Sequence, residues 1–143
     1  MIAIILAIIS GAAMSVQGVF NTRLNEKIGL WEATTIVQGI AFVLSLIVMF
    51  FIGKGNIKDW SSVNKVYLLG GVLGVVITYT VIKTVGSLGP TYGIATILVS
   101  QLVVAALIDA FGLFDTPKLA FSFNEFIGVA VMIVGIIIFK WKF

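Results

Sequence analysis

Five apolar runs, each long enough to cross a bilayer, alternate with short polar links along this chain of 143 residues. The first, MIAIILAIISGAAMSVQGVFNTRL, carries no charged side chain before Arg23. A helix needs about 20 apolar residues to cross a hydrocarbon core of roughly 30 Å. The run therefore predicts a membrane helix over residues 2–22. A cleaved signal peptide would carry a charged leading region and a shorter apolar core, so a permanent helix is the better reading. Four further helices are expected over 30–53, 66–86, 91–113 and 122–140, the last starting at Phe121 or Glu125. The hydrophilic stretches between them, NTRLNEKIG, KGNIKDWSSVNK, SLGPT and DTPKLAFSFN, read as links. Pro90 suits the first turn of the fourth helix, where its missing N–H is not needed. The third and fourth helices then form an antiparallel hairpin.

The runs are not uniformly apolar. Ser10, Met14, Gln17 and Asn21 fall at i, i+4, i+7 and i+11, one face of a helix. Gly11, Ser15, Gly18 and Thr22 make a neighbouring face of small residues. Such residues line helix interfaces in membranes, or, in the polar stripe, a solute path. In the second run Thr34, Gln38, Ala41 and Ser45 repeat the pattern, with Glu32 in the first turn and Trp31 suited to the interface. In the third, Gly70 and Gly74 form a GxxxG pair whose face continues to Thr78, and Lys83 can snorkel outward. The fourth holds Thr96, Ser100, Gln101 and Asp109, and Gln101, Ala105 and Asp109 share a stripe. Asp109 reads either as an interfacial acid near the helix exit or as a proton- or cation-linked carboxylate. The fifth run has Gly128 and Gly135 on one face and almost no polar interior, which points to packing. Lys140, Trp141 and Lys142 end it as an interface anchor.

Composition reinforces the pattern. The chain is 60% hydrophobic and 10% charged, where soluble domains are about 25% charged. It reads as a multi-pass protein of the cell membrane, in one transmembrane domain. It contains no cysteine and no histidine. That excludes thiol nucleophiles, disulfides, haem ligation, the usual zinc sites and a Ser/His/Asp triad. No cofactor or metal is expected. The net charge of +3 is carried by lysines and one arginine placed singly at the ends of apolar runs, which suits headgroup anchoring rather than nucleic acid. Glu32 and Asp109 start near opposite faces, so a paired-carboxylate enzyme site within one chain is not expected.

Five crossings put the termini on opposite sides. Lys54, Lys58, Lys65 and Lys118 then share the side of the N-terminus, and Arg23, Lys27, Lys83, Lys140 and Lys142 the other. The positive-inside rule orients a chain through an asymmetry of lysine and arginine, and here there is hardly any. The expectation is insertion both ways up, with two copies paired antiparallel about a two-fold axis in the membrane plane. Two chains would then supply the inverted repeat that larger transporters encode in one.

GAAMSVQGVFNTRL, with Gln17 and Asn21, and SQLVVAALIDAFGLF, with Gln101, Asp109 and Gly112, resemble the YdcZ-type small membrane proteins of the drug/metabolite transporter superfamily. The resemblance covers essentially the whole chain. It implies an all-α half-transporter: five transmembrane helices, half of a ten-helix bundle completed by a homodimer or by a heterodimer with a paralogue. The related small multidrug exporters use four helices and a glutamate in the middle of the first. Here the expected helix over residues 2–22 has no acid at all, and its polar centre is Ser10, which argues against proton-coupled cation export in their manner.

The leading functional expectation is a small-solute transporter working by alternating access. Ser10, Gln17, Asn21, Gln38, Thr78, Ser100 and Gln101 are the candidate solute-binding residues. Three glutamines, each both donor and acceptor, suit a neutral or zwitterionic solute. Trp31 and Tyr79 could add flat walls, or simply pack. Asp109, then Glu32, are the coupling candidates. Gly11, Gly18, Gly70, Gly74, Gly128 and Gly135 are the expected packing positions, letting helices approach and rock. Two other readings stay open: a small dual-topology ion channel, and an accessory subunit active only beside a partner chain.

Overall fold

The computed structural model describes residues 1–119 and 122–141. Among them there is no strand. The helices are α1 (Ile2–Ile28), α2 (Leu30–Ile52), α3 (Gly70–Leu88), α4 (Pro90–Phe111) and α5 (Phe123–Lys140). All five spans are long and apolar enough to cross a membrane, the third counted from Lys65. Lys142 and a start of the last helix at Phe121 lie outside the described residues.

α1 runs two turns further than the apolar run. Its segment NTRLNEKI, read from sequence as a polar link, is helical to Ile28. Arg23 and Glu26 pair at 2.9 Å one turn apart on its exposed side. Loss of apolarity marks the exit from hydrocarbon, not the end of the helix. Gly29 alone separates α1 from α2, at φ 98, a conformation side-chain-bearing residues rarely adopt. The carboxylate of Glu32 curls back over Gly29, at the positive end of the α2 dipole.

The link between α2 and α3 is ordered by two short 3-10 turns, Ile57–Ser61 and Lys65–Leu69. Asn56 and Asn64 cap them by accepting from the backbone N–H of Lys58 and Val66. α4 ends at Gly112 in the left-handed conformation, φ 63. The carbonyl of Asp109 accepts from the N–H groups of Gly112 and Leu119, which turns the chain back. α5 opens with a capping box of Ser122 and Glu125, in which the glutamate accepts from the Ser122 N–H at 2.6 Å.

The chain divides into two compact units, Met1–Gly86 and Ser87 onward. In the first unit burial is confined to one end. Gly18, Asn21 and Thr22 of α1, Ala33 and Thr34 of α2, and Thr78, Ile82 and Val85 of α3 are buried. The other halves of α1 and α2 are exposed throughout. In the second unit α4 and α5 pack on each other, and no described residue of α5 is buried.

Candidate functional site

The packed end of the first unit is built from small and hydroxylated residues, which lets backbones approach. A Cβ placed on Gly18 would stand 3.2 Å from Val81 and 3.7 Å from Val85, so α1 meets α3 through that glycine. Thr22 and Thr34 satisfy their hydroxyls on the carbonyls four residues back, Gly18 and Leu30, at 2.8 Å each. These threonines therefore enter the contact without an unpaired donor.

A polar clasp between α2 and α3 lies beside this packed end. The Gln38 side-chain amide donates to Thr78 Oγ1 at 3.0 Å, and that hydroxyl donates in turn to the Gly74 carbonyl at 2.9 Å. A hydroxyl can accept and donate at once, so Thr78 relays between the two helices. Gly74 leaves room for the amide: a Cβ there would come to 3.6 Å of the Gln38 nitrogen. Trp31 stacks on Tyr79 with centroids 5.3 Å apart and planes 27° from parallel. Gln38, Thr78, Trp31 and Tyr79 thus all join α2 to α3.

Along α1 the polar stripe divides. Asn21 is buried at 6% exposure, while Ser10 and Gln17 are exposed. No hydrogen bond forms at the side chains of Ser10 or Gln17 among the described residues. Gln17 and Asn21 lie in a shallow groove of ≈ 580 Å³ with Ile9, Ala13, Val16 and Phe20. Gly11 and Gly70 have open space where a Cβ would stand.

In the second unit Ser100 and Gln101 are exposed on α4, again with no side-chain hydrogen bond among the described residues. Asp109 lines a hollow of ≈ 310 Å³ between α4 and α5, together with Glu125, Ala105, Gly128 and Met132. Glu125 did not stand out in the sequence, because a glutamate three residues into a helix reads as a cap. Its turn also brings it to the hollow that Asp109 lines. Gly128 and Gly135 have open space at their Cβ positions. The described residues contain no group of three or more acids that could hold a metal ion.

The arrangement offers amides and hydroxyls in helices whose surroundings are otherwise apolar. Such groups can both donate and accept hydrogen bonds.

The chain matches the family described as "Putative inner membrane exporter, YdcZ" over residues 2–138. No curated protein and no solved structure matches it.

Proposed function

The chain belongs to the YdcZ family of inner membrane proteins, and from that premise we propose that it carries a small neutral or zwitterionic solute by alternating access, as an antiparallel dimer. It is a multi-pass inner membrane protein with five helices able to span. The observation that carries the proposal is the state of Gln17 and Gln101. Both lie well inside membrane helices, both are exposed on this chain, and neither side chain has a hydrogen-bond partner among the described residues. An unpaired polar group facing lipid costs several kcal/mol by transfer estimates of about 2–7 kcal/mol. A wet cavity formed with a second copy removes that penalty and makes the same groups available to a solute.

The first unit supports the same reading. Its helices close on each other at the Asn21, Thr34 and Val85 end and leave the opposite end uncovered. Alternating access requires one closed end and one open end in each state. The Gln38–Thr78 clasp then belongs to the closed end, and antiparallel pairing would set the closed end of one copy beside the open end of the other. Asp109 is the proposed coupling carboxylate.

Reconstituted protein should exchange labelled for unlabelled solute across liposomes, saturably and at carrier rates. Gln17→Ala and Gln101→Ala should abolish solute binding while leaving the dimer assembled. Current far above carrier turnover, or unchanged affinity in both variants, would overturn the reading. A C-terminal reporter should be found on both sides of the membrane. A single location would exclude the antiparallel dimer.

A further inference from the structure

Between α4 and α5, at the end away from Asp109, lies a crevice of ≈ 240 Å³ lined by Thr91, Tyr92, Leu98, Met132, Gly135 and Phe139. It opens because small residues face it. Ala95 stands on the α4 side, and a Cβ on Gly135 would touch nothing. From Thr91 to Leu98 it runs about 10 Å along α4, at 1.5 Å per residue. Its walls are aliphatic and aromatic, so its natural contents in a membrane are hydrocarbon.

One feature separates it from an ordinary lipid-facing gap. The Lys140 ammonium stands 4.5 Å from the centre of the Tyr92 ring, a cation–π contact at the mouth of the crevice. Tyr92 is itself part of the lining, so the charge is fixed to the crevice wall. Among the described residues of its own hairpin, Lys140 has no acid near it. The described residues from Ser87 to Ile108 carry no charge, and on α5 the only acid, Glu125, lies at the far end of the helix. The cation is left to attract an anion at the level where headgroup phosphates sit.

We propose that this crevice holds an acyl chain of an anionic phospholipid whose phosphate pairs with Lys140. The chain fills the space between Leu98 and Phe139, and the cation selects the headgroup. This inference does not depend on the solute-transport reading: a protein that moves no solute could still bind the lipid.

The test is native mass spectrometry of the protein released from bilayers of equal phosphatidylglycerol and phosphatidylcholine. The expected result is retained lipid with a preference for phosphatidylglycerol of about fivefold, the attraction of one lysine near a membrane surface. Lys140→Gln should erase the preference while lipid is still retained. Gly135→Leu, which fills the crevice without touching the charge, should lower the number of retained lipids. Lys118→Gln, a basic residue outside the crevice, should change neither. Matching circular dichroism and elution volume establish that each variant is folded. Equal retention of the two lipids by the wild type, or a preference that survives Lys140→Gln, would overturn the proposal. So would efficient disulfide cross-linking of two copies through Leu98→Cys, which would place protein in the crevice instead.

Discussion

Gly18 is where the smallest possible side chain does most for the packing of α1. A Cβ at that position would come to 3.2 Å of Val81, so a larger residue must push α3 away. Gly18→Leu should destabilise the protein by about 1–3 kcal/mol, the usual range for overpacking. Gly55→Ala, in an open stretch of the α2–α3 link, should stay within about 0.5 kcal/mol. Unfolding in mixed micelles measures both. The Gln38–Thr78 bond allows a second measurement. A double-mutant cycle with Gln38→Leu and Thr78→Val should give a coupling of about 0.6 kcal/mol, and not above about 1.7 kcal/mol, as interhelical hydrogen bonds in membranes do. A coupling of zero would mean that the clasp does not hold α2 to α3. Sequence periodicity puts each of these residues on the polar or small face of its own helix. It does not say that Gln38 meets Thr78, 40 positions away, because the register between helices is set by side-chain packing across the contact. The pairing of Trp31 with Tyr79 was hidden for the same reason.

At the scale of helices, the apolar runs marked which segments are helical, and the structure shifts mainly their ends. α1 outlasts its apolar run because Arg23, Glu26 and Lys27 are good helix formers placed at the water boundary. Hydropathy responds to the solvent around a segment, and a helix leaving the membrane changes solvent without changing backbone. α3 shows the converse. The run from Val66 is apolar, yet Lys65–Leu69 is a 3-10 turn and the α-helix begins only at Gly70. The end of α4 was marked more clearly, since glycine is the usual residue in a left-handed cap. Gly112→Ala should therefore weaken the turn by about 1–2 kcal/mol, the penalty for an L-residue in that conformation. Its Cβ would also come to 3.2 Å of Lys118 and 3.3 Å of the Thr116 carbonyl. Faster amide exchange at Leu119, whose N–H donates to Asp109 in that turn, is the measurement. Unchanged exchange there would show that the turn stands without the glycine.

For the whole molecule, the informative quantity is the charge count on the two faces, which is legible in sequence and almost balanced. Because no single charge decides the orientation, small changes should tip it. Gly55→Lys with Val63→Lys adds positive charge to the exposed α2–α3 link, and Lys54→Gln with Lys58→Gln removes it from the same link. The positive-inside rule then predicts that the first pair holds this link in the cytoplasm and the second pair holds it outside. If transport requires two copies of opposite orientation, each doubly substituted protein should be inactive alone. Co-expression of the two should restore transport, because their mixture again contains both orientations. The substitutions lie outside the five membrane-spanning helices, so direct damage to the proposed solute-binding residues does not explain a loss that co-expression repairs. Full activity from either variant alone, with its reporter confined to one side, would show that one orientation suffices. The unpaired amides on α1 and α4 would then have to be covered by a parallel neighbour or a different chain.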